Sequence, residues 1–138
     1  MTQQIDQLVT DWMAAYNAHD ALRIASLCAD DYEGVDVGRA GLHRGAGELR
    51  QVLEDYFRAF PDIVFTPEET IAESDRVVQV WTARGTHRGP VMNIPPTGRA
   101  VSIRGVSVLS LCDGKVRRGL YLWDVAGLLR SIGLLPEL

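Results

Sequence analysis

Residues 85–114 read GTHRGPVMNIPPTGRAVSIRGVSVLSLCDG, and residues 121–133 read YLWDVAGLLRSIG. An extended run closes on His87, and Pro95-Pro96-Thr97-Gly98 then turns the chain. A second, longer alternating run ends at Asp113-Gly114, a pair suited to a tight hairpin because glycine tolerates positive φ. The third run carries Tyr121, Trp123 and Asp124 into a short helix over 125–132, with Asp124 at its start and Gly133 at its end.

Working outward from this stretch, the apolar period is two from Ile63 onward. It predicts strands over 63–65, 70–72, 77–86, 100–111 and 116–123, separated by turn signals such as Ser74-Asp75. Upstream the period is helical. Ile5, Leu8, Val9, Trp12, Ala15 and Tyr16 make one face, closed near Asn17-Ala18-His19. Asp20 is a good N-cap for a second helix with Leu22, Ile24, Ala25, Leu27 and Cys28 inward. Residues 31–37 read as a short strand, and Gly38, Gly41, Gly45 and Gly47 make the next connection loop-like. A third helix carries Leu49, Val52, Leu53, Tyr56, Phe57 and Phe60 and stops at Pro61-Asp62. Helices first and strands afterwards imply an α+β fold, with a cone-shaped, curved antiparallel sheet wrapped over three helices. Such a cone leaves a deep apolar pocket at one end. Residues 1–138 are expected to form a single domain.

The chain is 46% hydrophobic and 23% charged, which are globular values. Its net charge is −4 and no Lys/Arg cluster is interleaved with aromatics, so nucleic-acid binding is disfavoured. No segment approaches the ~20 apolar residues of a membrane span. The N-terminal MTQQIDQ lacks the basic and apolar regions of a signal peptide, and the unpaired cysteines Cys28 and Cys112 fit a reducing cytoplasm. Cys28 and Cys112 have no partner at CxxC or metal-ligand spacing and are expected as buried free thiols. Neither a GxGxxG fingerprint nor a metal triad occurs, so no cofactor and no metal are expected.

Several polar groups interrupt apolar faces. Val77, Gln79, Trp81, Ala83, Gly85 and His87 share one strand face by alternation, with His87 at its end. His87 is either an acid/base group or a histidine steadying the turn before Pro90. Asp124 ends an apolar run and is either a cavity carboxyl or the cap of the last helix. Asp36 and His43 flank the Gly-rich connection, where a carboxylate could act as a base on a carbon acid; solvated loop residues are the alternative. Arg104, within an apolar run, needs an acidic partner such as Asp36 or Asp124, or an anionic ligand. The expected catalytic set is therefore Asp124, Asp36, His87 and Arg104. The expected binding set is Trp12, Tyr16, His43, Tyr56, Trp81, Tyr121 and Trp123, with the aromatics as flat walls and the Tyr121 hydroxyl as a donor.

The segments GTHRG, IPPTGR, DGKV and WDVAGLLRSIG resemble the SnoaL-like polyketide cyclase family, over residues 12–133. The resemblance implies a fold of the nuclear transport factor 2 type, a homodimer through the sheet, and cytoplasmic secondary metabolism such as antibiotic biosynthesis. Cyclases of this family close a ring of aromatic polyketides by an intramolecular aldol step without metal or cofactor, using an Asp beside a His. Counted from DGK, those positions fall on Tyr121 and Ser107, while Trp123-Asp124 matches a second Asp that the family shares. A related branch that takes part in hydroxylation also lacks the pair, and this chain resembles that branch more than the ring-closing enzymes. Hydroxylation there would need a reductase partner or a substrate that activates oxygen itself. The segments WMAAYNAHD and ADDYEGVD also resemble ketosteroid isomerases, with Asp36 on the isomerase base but Trp12 in place of its helix-one Tyr. The expected function is acid/base chemistry or assisted hydroxylation on a bulky, hydrophobic aromatic substrate. The alternatives are a non-catalytic module for an apolar ligand and an isomerase or epoxide hydrolase, the last requiring Asp36, Arg104 and Asp124 to converge.

Overall fold

A computed structural model describes residues 3–138. Its elements run α1 (Gln3–Asn17), α2 (Ala21–Ser26), β1 (Cys28–Asp36), β2 (Leu42–Arg44), α3 (Gly45–Ala59), β3 (Val64–Glu73), β4 (Arg76–Thr86), β5 (Ala100–Cys112), β6 (Lys115–Trp123) and α4 (Val125–Ser131). The strands form one six-stranded sheet in the order β2-β1-β6-β5-β4-β3. Its neighbours are antiparallel except β1 and β6, which run parallel. That pair joins the N-terminal part of the chain to its C-terminal part and sets Asp36 opposite Tyr121.

Local chemistry explains the element ends. Asp20 caps α2 by accepting from Arg23 N at 3.0 Å, which spares an otherwise unpaired helix N–H. Gly133 takes the left-handed conformation beyond α4, with φ 86°. Several sequence expectations change: Leu22 is exposed rather than inward, and α2 ends at Ser26 so that Cys28 opens β1. The segments 63–65 and 70–72 belong to one strand, β3, whose register shifts between Pro67 and Glu69 because proline cannot donate to the ladder. The loop-like connection contains the short strand β2, whose Gly34↔His43 pairing extends the sheet edge. Further register shifts in β1 and β5 bend the sheet around α1 and α3.

Two apolar clusters fill the concave side. Leu8, Trp12, Ile24, Leu49, Val77 and Val116 pack α1, α2 and α3 on one end of the sheet. Ala59, Phe60, Ala83, Ile103, Leu128 and Ile132 pack α3 and α4 on the other. Cys28 is buried, and burial pushes its thiol up to about 12. Cys112 is exposed rather than buried, because it falls on the last residue of β5 at the hairpin. No helix among the described residues is long and apolar enough to cross a membrane.

Candidate functional site

An apolar cavity opens between α1, α3 and the concave face of the sheet. Its walls include Trp12, Tyr16, Tyr56, Phe57, Phe60, Phe65, Trp81 and Trp123. The rings brace one another edge to face: Tyr16 on Phe65 at 5.2 Å, Phe65 on Trp81 at 5.4 Å, and Tyr56 on Trp123 at 6.1 Å between centroids. The interior volume is about 90 Å³, less than the about 150 Å³ cavity that admits a benzene ring in a protein core. In this arrangement the cavity is a slot with room for part of a ring system.

Asp36 is the one carboxylate among the described lining residues. It ends β1 and is 6% exposed. Its Oδ1 accepts from Trp123 Nε1 at 2.9 Å and from Gly38 N at 2.7 Å. Oδ2 takes neither of these bonds. Tyr56 Oη lies beside the carboxylate without closing a hydrogen bond of good geometry. Burial and the Asp36 charge push the Tyr56 phenol far above its ordinary range, so it stays protonated.

The second polar feature is a buried chain of three groups. Tyr32 Oη lies 2.9 Å from His43 Nε2 and 2.8 Å from Tyr121 Oη. Three strands supply them: β1, β2 and β6. Gly34 and Gly119 are register partners across β1 and β6. A Cβ at Gly34 would collide with His43 Nε2 and Tyr32 Oη, and a Cβ at Gly119 with Tyr121 Oη. The two glycines thus form the notch in which the chain meets. Desolvation by burial holds the His43 imidazole below its ordinary 6.5, outweighing the Asp36 charge that favours protonation. Burial likewise pushes the Tyr121 and Tyr32 phenols up. A neutral imidazole carries one N–H, and its tautomer sets the direction of the chain. With the proton on Nε2, His43 donates to Tyr32, Tyr32 donates to Tyr121, and Tyr121 keeps a proton for the cavity. Beside them Ser107, the register partner of Tyr121, accepts from Trp81 Nε1 at 3.0 Å.

Of the expected site residues, Asp36, His43, Trp12, Tyr16, Tyr56, Trp81, Tyr121 and Trp123 come together in the cavity lining. His87, Arg104 and Asp124 lie outside it. His87 is buried against Phe60 and its Nδ1 meets Thr97 Oγ1 at 3.0 Å, so it ties down the Pro95-Pro96-Thr97-Gly98 turn. Arg104 sits on the convex face and pairs with Glu68 at 2.8 Å, because alternation along β5 turns Ile103 inward and Arg104 outward. Asp124 accepts from Gly127 N at 2.8 Å and caps α4. Asp36, Arg104 and Asp124 therefore do not converge. Tyr32 and Gly34 are additional members of the site. Their signal was the alternation of Tyr32, Gly34 and Asp36, which places all three on one face of β1. Among the described residues no three His, Cys, Asp or Glu side chains gather as a metal site.

A profile of the SnoaL-like polyketide cyclases matches residues 6–132. No curated protein matches the chain by sequence. Among solved structures, AclR from Streptomyces galilaeus, provisionally assigned as a hydroxylase, is 28% identical, with TM-score 0.83 over 96% of this chain and 87% of its own. IdmH from Streptomyces antibioticus, provisionally assigned as a polyketide cyclase, is 25% identical, with TM-score 0.81 over 96% of this chain and 99% of its own. TsrD from Streptomyces laurentii shares the fold at 24% identity and TM-score 0.87, over 98% of this chain and 99% of its own.

Proposed function

The chain belongs to the SnoaL-like polyketide cyclase family, and from that premise we propose that it is a small-molecule enzyme acting on an aromatic, polyketide-like carbon acid, with Asp36 as the proton-transfer group. The observation that carries this reading is the one carboxylate among the described lining residues, tethered through Oδ1 and with Oδ2 in neither of those bonds. Oδ2 takes a proton from a carbon next to a carbonyl. The C–H electron pair moves onto the carbonyl oxygen, and the conjugated rings spread the charge. Tyr121 donates to that oxygen, backed by Tyr32 and neutral His43. In a ring closure the enolate carbon then attacks a second carbonyl, and Asp36 returns its proton to the new alkoxide. The edge of one substrate ring enters the slot and the rest projects from the mouth.

The same enolate suits a second reading, hydroxylation, in which dioxygen rather than a carbonyl takes the carbon's electron pair to give a hydroperoxide, and two electrons from a reductase partner then cleave its O–O bond to the hydroxyl and water. Likeness to AclR favours it, as do Ser107 and Tyr121 where the resemblance places the cyclase His and Asp. Either reading assigns the deprotonation to Asp36. A panel of aromatic polyketide ketoesters, incubated with and without oxygen and a reductase system, tests both. Ring closure without oxygen that disappears in Asp36→Asn supports the first; turnover only with oxygen supports the second. Equal ligand binding with no turnover in either protein would leave a binding module.

A homodimer through the convex sheet face fits the same architecture. Val35, Leu120, Val108, Val78 and Ile71 are register partners in turn across five strands and form an apolar row on that face. Sedimentation velocity checks it, and a monomer at micromolar concentration would remove the proposal.

A further inference from the structure

The concave floor of the sheet carries a polar row. Asp36, Tyr121, Ser107, Gln79 and Thr70 are register partners in turn across β1, β6, β5, β4 and β3. The rows beside it are apolar: Trp81, Gly105 and Trp123 on one side, Val77, Leu109 and Gly119 on the other. The proton transfer proposed above uses the Asp36–Tyr121 end of the row and leaves Ser107 and Gln79 without a part. Both are nonetheless buried, at 7% and 4% exposure, and both line the cavity.

A buried polar side chain costs free energy unless its hydrogen bonds are made, and these two are half made. Gln79 Nε2 donates to Thr70 Oγ1 at 3.2 Å, while Gln79 Oε1 meets no donor among the described residues. The unpartnered side-chain atoms sealed away from any space, among the described residues, are Tyr56 Oη and His87 Nε2. Gln79 Oε1 is therefore unpaired yet reachable from the cavity that Gln79 lines. Ser107 Oγ accepts from Trp81 Nε1 at 3.0 Å, and its own hydroxyl proton has no acceptor among the described residues. The two residues stand directly opposite each other on β4 and β5, so a free donor and a free acceptor lie side by side in an otherwise apolar wall. A phenolic hydroxyl satisfies both at once, accepting from Ser107 and donating to Gln79. A carbonyl or ether oxygen satisfies Ser107 alone. We infer that Ser107 and Gln79 form a subsite for a ring hydroxyl of the aromatic substrate. This rests on the reading of the cavity as an aromatic site. It narrows the substrate class to phenols, in preference to their methyl ethers and to unsubstituted rings.

2-Naphthol, 2-methoxynaphthalene and naphthalene are the probes, titrated by calorimetry at neutral pH, where the phenol is uncharged. The wild type is expected to bind 2-naphthol about tenfold tighter than its methyl ether, the scale of a buried hydrogen bond made or left unmade. Gln79→Met keeps the Trp81–Ser107 bond in place. It is expected to bring 2-naphthol down to the ether, because only the Ser107 donation remains, while naphthalene, which reports an intact slot, still binds. Ser107→Ala is expected to weaken 2-naphthol but leave it ahead of the ether, because Gln79 still tells O–H from O–CH₃. Equal binding of 2-naphthol and its ether by the wild type, or a preference unchanged in Gln79→Met, overturns the subsite and leaves the slot reading standing. Failure of all three probes to bind the wild type overturns the aromatic slot and the subsite with it.

Discussion

Asp36 and Asp124 stand at similar places, each where a strand ends and the chain turns away from the sheet, yet they are put to different uses. Asp124 follows β6 and spends its carboxylate on the first turn of α4. Asp36 ends β1, receives an indole N–H from across the sheet, and lines the cavity. The difference is long-range. No helix starts directly after Asp36 to claim its carboxylate, and the parallel pairing of β1 with β6 brings Trp123 and Tyr121 beside it. Local sequence around the two residues does not announce this: Asp124 follows an apolar run, Asp36 follows a stretch mixed with acids, and each precedes a glycine two or three positions on.

The largest effect that would break the comparison lies in catalysis. Asp36→Asn is expected to lower turnover about thousandfold, as removal of a general base does, whereas Asp124→Asn should leave it within about twofold. Steady-state rates on one ketoester decide this, and the reverse order would exchange the two roles. Next comes Tyr32→Phe, which leaves His43 Nε2 and Tyr121 Oη without their shared partner. It should cost about 1–3 kcal/mol in urea unfolding and about tenfold in turnover; wild-type turnover would show that the chain only stabilises the sheet. Smaller again, Asp124→Ala should cost about 1 kcal/mol as a lost helix cap, with turnover intact.

The smallest effect is in pH. Burial keeps the His43 imidazole below 6.5 in the folded protein, so the unfolded chain takes up that proton first. Its contribution is full above pH 6.5 and is lost as the pH falls through the folded value. His87 shifts in the same direction, also through burial. Urea midpoints should therefore fall between pH 7 and pH 5, with a shallower slope in His43→Gln; an unchanged slope would mean that His43 is not held neutral.

Much of the fold was legible because each element carries its own period. Trp12 and Tyr16 repeat at helical spacing in α1, and Val101, Ile103 and Leu109 alternate in β5. The α+β order and the aromatic walls followed from such patterns. What escaped was set by contacts distant in sequence or by elements too short to show a period. The three residues of β2 gave His43 no pattern to join. The charge of Arg104 within an apolar run suggests a site residue, but the alternation of β5 turns it to the convex face, where Glu68 on β3 meets it. His87 shares the inward face of β4 but falls beyond the strand end, where the turn to Thr97 captures it. The Tyr32–His43–Tyr121 chain depends on the pairing of Gly34 with Gly119, residues 85 positions apart that only the completed sheet brings together.

The most direct test of the account is proton exchange at carbon. An aromatic β-ketoester in D₂O, without oxygen, can be followed by NMR for loss of its α-proton signal in the presence of wild type and Asp36→Asn. The account predicts exchange well above the buffer rate with the wild type and a return to near the buffer rate with Asp36→Asn. Exchange at the wild-type rate in Asp36→Asn would contradict it, and the cavity carboxylate would then be a structural partner of Trp123 alone.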